Sequence, residues 1–400
     1  MKTAAIIAEY APFHNGHRFH IDETRRQTGA THFIAVMSGN FTQRGDVAFL
    51  DKWSRAEHAL RNGIDLVIEI PTPYVLGGAG AFASAAVSML CDLGCADIIS
   101  FGSECGDTEL LKEAAGAVHY AEDHPEFIGR MRRGMSYPEA LEKTIFDIYT
   151  DDVSAVFRSP NNILAIEYIK AMNNAGAAFR PFTIKREGTR HDGAEIVGNI
   201  ASAGQIRKMN ASGEDVSRLL PGYTLPGGTA DIASLSHIER AILAQIRTLS
   251  PDEIKKAPCV LQGLENRIYK AARAARSLSE LAVLSGTKRY PMSRLRRIFL
   301  CLYLSITKSD LKSLSPPYIR ILGMNGRGKE ILSAAKRETS GAAEQKTPVD
   351  TSLTALAKTS PEAKKLAARE AHCGDLYALS FGKVRKCGGE FSGKPVIIDD

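Results

Sequence analysis

A short apolar run, Thr3, Ala4, Ala5, Ile6, Ile7 and Ala8, leads into Glu9, Tyr10, Ala11, Pro12, Phe13, His14, Asn15, Gly16 and His17, and then into a stretch of helical period. The run has no polar face, which suits a buried parallel strand. It stops at Pro12, and Gly16, His17, Arg18, Phe19, His20 and Ile21 begin a segment that continues as a helix through Asp22, Glu23, Thr24 and Arg25. Two histidines therefore sit where a strand hands over to a helix.

A helix start leaves backbone N–H groups unpaired and carries partial positive charge, so it is suited to a phosphate. His14 and His17 add side-chain donors, and Gly16 has no Cβ to hold a base or phosphate away from the backbone. His20 has no evident task on the first turn and reads as structural. The pattern His-x-Gly-His after a first strand resembles that of the nucleotidyltransferase superfamily, which includes adenylyltransferases and class I aminoacyl-tRNA synthetases.

Beyond this segment strands and helices alternate. Strands are expected at His32 to Met37, Leu66 to Ile70, Asp97 to Phe101 and Phe182 to Ile184, and helices after Asp51, over Ala79–Leu93 and after Pro160. Residues 108–149 read as mostly helical. Such alternation implies a Rossmann-like parallel sheet with crossover helices, and ligands bind outside the carboxyl ends of its strands. Three of those ends carry glycine and polar groups: the histidine loop, Ser38 with Gly39 and Asn40, and Gly102 with Ser103 and Glu104.

Charge divides the chain unevenly. The formal net charge is +6, yet residues 251–340 hold 18 Lys and Arg against 7 Asp and Glu, a local surplus of 11. Arg267, Lys270, Arg273 and Arg276 recur every three residues over about half of a helix circumference, and Lys288, Arg289, Arg294, Arg296 and Arg297 follow, interleaved with Tyr269 and Tyr290. A basic patch with aromatics fits an RNA backbone and exposed bases. We place a boundary near 210: a nucleotidyltransferase-like ATP-binding domain over 1–210, then a mainly α-helical, basic, RNA-binding domain over 211–400 with a flexible segment near 338–351. Seven scattered cysteines without a Cys-x-x-Cys pair argue against disulfides and zinc, so no protein metal site is expected. No apolar run approaches the roughly 20 residues of a membrane span, and no signal-peptide pattern opens the chain, which implies a cytoplasmic protein.

Two further motifs need weighing. Gly323, Met324, Asn325, Gly326, Arg327, Gly328 and Lys329 match the start of a P-loop, but Glu330 stands where a magnesium-binding Ser or Thr belongs, and its charge repels phosphate. Ser202, Ala203, Gly204, Gln205, Ile206 and Arg207 resemble the second signature of small adenylyltransferases, with Gly204 in the place of threonine. A Lys-Met-Ser-Lys-Ser loop is absent, which argues against a synthetase.

Taken together, residues 7–20, the Ser38, Gly39, Asn40, Phe41 loop, Gln43, Arg44, Gly45, Asp51, Lys52, Trp53, then Gly263, Glu265, Asn266, Arg267, Thr287, Lys288, Arg289, Tyr290 and Pro317, Tyr318, Ile319, Arg320 resemble the bacterial tRNA(Met) cytidine acetate ligase family. The resemblance implies an enzyme that activates acetate with ATP to acetyl-adenylate and acetylates N4 of the wobble cytidine of elongator tRNA(Met). It implies that ATP is held by Ile7, Ala8, Glu9, Tyr10, Ala11, Pro12, Phe13, His14, Asn15, Gly16, His17, Arg18, Phe19, His20, Gly102, Asn162 and Arg186. His14, His17 and Arg186 would be catalytic, with Mg2+ assisting. The residues alone leave two alternatives open: an adenylyltransferase for a small phosphorylated metabolite, and a non-catalytic RNA-binding protein with a vestigial nucleotide site.

Overall fold

The computed structural model describes residues 1–186, 196–226, 230–261, 263–287, 290–338 and 347–399. In chain order its first strands are β1 (Thr3–Ala8), β2 (His32–Ser38), β3 (Phe41–Thr42), β4 (Asp46–Val47), β5 (Leu66–Ile70), β6 (Ile98–Ser103) and β7 (Arg180–Lys185). Five of them form a parallel centre in the order β5-β2-β1-β6-β7, while β3 and β4 make a small hairpin. Side-chain alternation decides the layers. Ala5, Ile7, Ile34, Val36 and Ile68 pack on one face under the helices Ala79–Leu93, Thr108–Glu122 and Pro160–Ala175. Ala4, Ile6, Phe33, Ala35 and Met37 pack on the other under Asn15–Thr28 and Lys52–Leu60. The chain moves outward from β1 to one side, then returns to place β6 on the other, so the carboxyl end of β1 lies at the point where strand order reverses.

All the sequence-expected strands form, but the segment after 210 does not stay helical. β8 (Ile319–Met324) pairs antiparallel with β5, and β9 (Val349–Asp350) and β10 (Val396–Ile397) pair with β8. The division at 210 therefore does not separate the sheet from the rest of the chain. Part of the connection expected over 338–351 lies outside the described residues, and its far end is β9.

The antiparallel sense of β8 also disposes of the P-loop resemblance. Leu66 faces Met324, so residues 323–329 lie at the edge opposite the histidine loop. There the Asn325 side chain caps Gly328 N–H at 2.9 Å, the Asn325 N–H donates to the Asp65 carbonyl, and a Cβ on Gly328 would lie 2.2 Å from that carbonyl oxygen. Gly328 serves close packing and leaves no room for phosphate.

The tail carries the groups that bind the sheet edge. Lys52 Nζ lies 2.6 Å from Glu69 and 2.5 Å from Glu390, and Arg320 bonds the same two carboxylates from β8, all four side chains being buried. Trp53, the one tryptophan, covers both cations, with ring distances of 5.5 and 5.2 Å. Glu370, which accepts from the Thr72 N–H and hydroxyl, is the fifth member. Burial first, then Glu69, pushes it up to about 8, so it is held largely protonated at neutral pH. Removing one partner of such a set leaves a buried charge uncompensated. Glu390→Ala should cost about 3–5 kcal/mol in chemical denaturation, whereas a loss under about 1 kcal/mol, the range of an exposed pair, would show that the set does not hold the tail.

A second apolar core lies among the helices Leu235–Thr248, Leu264–Ala274, Leu278–Ser285 and Met292–Tyr303. Phe41 and Val47 of the β3–β4 hairpin are buried in it, so the sheet half of the chain contributes to the helical half.

Candidate functional site

His14 is the N-cap of the helix Asn15–Thr28, and its Nδ1 accepts from Gly16 N–H at 3.1 Å. His17, at the third helical position, accepts through its own Nδ1 from His14 N–H at 3.2 Å. With both Nδ1 atoms used as acceptors, each neutral ring carries its proton on Nε2 and presents a donor. The rings stack at 3.7 Å, and Tyr10 and Phe13 pack edge-on or tilted against His17. A side chain on Gly16 would meet the His14 ring at 3.0 Å, which explains the glycine between the histidines. The N–H groups expected to meet an anion are partly spent: Gly16 N–H is capped, and His17 N–H bonds the His14 carbonyl at 2.8 Å. Each imidazole keeps its Nε2–H as a side-chain donor beside them.

Burial first, then the charges of Arg186 and Arg207, pushes the His14 imidazole down to about 3. Burial, His14 and Arg186 hold His17 well below its ordinary value, and burial with Arg186 brings His20 to about 4. All three are neutral donors or acceptors near pH 7. His20 bonds Ser100 at 2.9 Å, and Ser100 bonds Thr24, so this histidine braces the helix against β6.

On the β6 side, Gly102 lies under the Arg186 stem, where an added Cβ would come within 3.1 Å of Cγ. Asn162 is buried, and its Oδ1 accepts from Glu104 and Cys105 N–H at 2.8 and 3.2 Å. Glu104 in turn accepts from Asn161 and Asn162 N–H at 3.4 and 2.9 Å, so each residue caps the other's backbone. On the β2 side the fully buried Arg55 ties together the carbonyls of Glu9, Ser38, Gly39 and Leu50. Sequence reasoning passed over Arg55. Its position one turn after the Asp51 cap, on the helix that also buries Ala56 and Ala59, was the available signal.

Residues 196–223 close over the loop. Arg207 donates to the Ala11 carbonyl at 2.7 Å, Tyr223 hydroxyl donates to the Phe13 carbonyl, and Asn15 Nδ2 donates to the Asn199 and Arg218 carbonyls. Gly204 has open space around it, its ideal Cβ meeting only Ser202 Oγ at 3.9 Å. Its helix is capped by Ser202 instead.

The basic residues divide into two groups. Arg267, Lys270 and Arg296 are exposed. Arg294 and Arg297 turn inward, donating to the Cys259 and Gln43 carbonyls at 2.8 and 3.2 Å. Lys288 and Arg289 lie outside the described residues.

A family model described as HIGH Nucleotidyl Transferase matches residues 1–388. A protein of Acetivibrio thermocellus named tRNA(Met) cytidine acetate ligase is 36% identical over the full length of both chains, and one of the same name from Caldanaerobacter subterraneus is 36% identical over 95% of this chain and 96% of its own. The chain belongs to the tRNA(Met) cytidine acetate ligase family of HIGH nucleotidyltransferases. The fold is similar throughout to solved structures of Thermotoga maritima TmcAL, at 28% identity with full coverage of both chains: TM-score 0.87 for a form bound with alpha-thio ATP and 0.89 for an apo form. The loop at residues 7–20 fits a nucleotide on its own chemistry, with two imidazole donors, a glycine that gives way to them, and the Arg186 charge near enough to act on both rings. Among the described residues no group of three or more His, Cys, Asp or Glu side chains is placed to hold a metal, and no helix is long and apolar enough to cross a membrane.

The cap and the donor can be separated. In His14→Asn the amide oxygen keeps the place of Nδ1 while the Nε2–H is lost, so ATP affinity by calorimetry should fall about 10- to 100-fold with stability nearly unchanged. His14→Ala should lose the cap as well, about 1 kcal/mol more; undiminished affinity in His14→Asn would remove the donor role. The depressed imidazoles also set a pH dependence. Their unfolded forms take up protons below about pH 6.5, so their contribution to stability is complete above that pH. It is lost as pH falls toward about 4 for His20 and about 3 for His14. The thermal midpoint should drop across this window, and less steeply in His20→Gln; identical slopes would exclude the histidine as a source.

Proposed function

We propose that this protein is an ATP-dependent tRNA(Met) cytidine acetate ligase, which activates acetate as acetyl-adenylate and transfers the acetyl group to N4 of the wobble cytidine of elongator tRNA(Met). The observation that carries the reading is full-length likeness to proteins of that name, joined to a histidine loop whose two rings both present donors. The chemistry is consistent with these residues. A cytidine N4 lone pair is delocalised into its ring, so the acyl group must arrive activated. Acetate oxygen attacks the α-phosphorus and pyrophosphate leaves. That leaving group requires charge stabilisation rather than a strong acid, and neutral imidazole donors with one arginine supply it in a preorganised site.

In this reading His14 and His17 donate to the phosphates and Arg186 neutralises charge. Gly102 keeps the β6 end open to the nucleotide, and Asn162 shapes the loop beside it. Arg207, already bonded to Ala11, holds the histidine loop and adds positive field. Mg2+ would enter on the ATP phosphates and offset their charge. The half before residue 210 carries activation, and the basic helices after it bind tRNA through Arg267, Lys270 and Arg296, in a cytoplasmic enzyme.

ATP–pyrophosphate exchange with acetate, followed by mass spectrometry of tRNA for N4-acetylcytidine, tests the reading. Exchange without modification would point to a small phosphorylated acceptor, and no exchange to a binding protein with a vestigial site. For the RNA surface, the double variant Arg267→Ala, Lys270→Ala should bind tRNA more weakly and lower the slope of log affinity against log salt by about 1 for each phosphate no longer neutralised. An unchanged slope in filter binding would place the RNA elsewhere.

A further inference from the structure

Glu9 belongs to the loop 7–20 that the resemblance gives to ATP, yet the chemistry of acetate activation asks nothing of its carboxylate. Acetate enters that step as an anion and loses no proton, and a second carboxylate beside the phosphates opposes the attack. Acetyl transfer makes the opposite demand. An arylamine that becomes an amide must shed a proton as its bond to carbon forms, and a positioned carboxylate can receive it.

Glu9 immediately follows β1. The strand order sets Gly102 and Arg186 to one side of the β1 end and places Ser38 and the β3–β4 hairpin on the other. Glu9 is therefore at the border between the nucleotide side and the side that meets the basic helices. Its Oε1 is fixed by Gln43 N–H at 2.5 Å, and the Gln43 carbonyl accepts from Arg297 of the helix Met292–Tyr303 at 3.2 Å. Gly45 of the same hairpin lies so close to that helix that a Cβ would fall 2.6 Å from Arg297 N. One short hairpin thus spans from the carboxylate to the helix that carries the exposed Arg296. Oε2 has no hydrogen-bond partner among the described residues. Arg44 of the hairpin, Arg55 of Lys52–Leu60, Arg207 of Ala203–Ala211 and Tyr168 of Pro160–Ala175 are the charged and titratable groups around it. Burial outweighs the arginines and raises its pKa above the ordinary carboxylate value, which strengthens it as a base.

We infer that Glu9 is the general base of the acetyl-transfer step. The inference rests on the ligase reading above. The N4 lone pair bonds to the acetyl carbonyl carbon, the bond from that carbon to the adenylate oxygen breaks, and AMP leaves with the electron pair. The N4 proton passes to Glu9 Oε2 and from there to solvent.

The test uses the full-length protein and its Glu9→Gln variant, in which the amide oxygen can still accept from Gln43 N–H. Acetate-dependent ATP–pyrophosphate exchange reports activation. Single-turnover acetylation of tRNA from preformed acetyl-adenylate reports transfer. The loss in transfer should exceed any loss in exchange by about 100-fold or more. The rise of the transfer rate with pH through the carboxyl range, present in the parent, should vanish in the variant, and Glu9→Asp should restore part of the rate. Parallel losses in the two assays, or a pH rise that survives in Glu9→Gln, would overturn the assignment and leave Glu9 as a brace of the hairpin. A parent protein that shows no acetate-dependent exchange would instead fail the ligase reading itself.

Discussion

Two backbone N–H groups decide what this site can do. Those of Gly16 and His14 are each claimed by an imidazole Nδ1, and that claim fixes ring orientation, tautomer and helix start together. The helix begins with its positive end capped from within, and the proton that the caps leave on each ring is turned outward as a neutral donor. Burial then keeps the rings from charging. A site of this kind stabilises phosphate charge through oriented dipoles and needs no reorganisation when charge develops.

The scaffold that keeps this arrangement rigid is assembled from distant parts. Arg55 gathers the carbonyls of the loops after β1 and β2, so those two strand ends cannot drift apart without leaving a buried guanidinium unpaired. Farther out, Lys52, Glu69, Arg320 and Glu390 join a helix, two strands and the tail at one buried point. The hairpin that lends Phe41 and Val47 to the helical core also fixes Glu9, so the loop after β1 and the helical core share a connector.

The parallel sheet was legible because each strand is a short apolar run with a turn signal at its end, and the candidate loop stood out because strand, histidines and glycine follow one another without a gap. What could not be read was anything that depends on residues far apart in sequence. Glu390 lies in a tail of unremarkable composition, and nothing local marks it as the partner of Lys52. Nor does anything local show that Asn162 Oδ1 accepts from the loop after β6. Arg294 and Arg297 looked like part of a continuous basic face, yet the hairpin and a neighbouring loop draw them inward. Charge periodicity shows which side of a helix is basic, but tertiary packing decides which cations remain exposed.

The pairing of Lys52 with Glu390 spans 338 residues, and that of Glu69 with Arg320 spans 251. A ribosome adding about 5–20 residues per second needs roughly 20 to 70 s to supply the second half of the first pair. Until β8 emerges, β5 is an open sheet edge beside a lysine and a glutamate whose other partners do not yet exist, the kind of surface that invites pairing with another chain. β5 reads Leu66, Val67, Ile68, Glu69 and Ile70, so Glu69, beside Lys52 of the neighbouring helix, is the one charge that interrupts an otherwise apolar edge until β8 arrives. The same buried ions that hold the finished fold thus also guard it while it is being made.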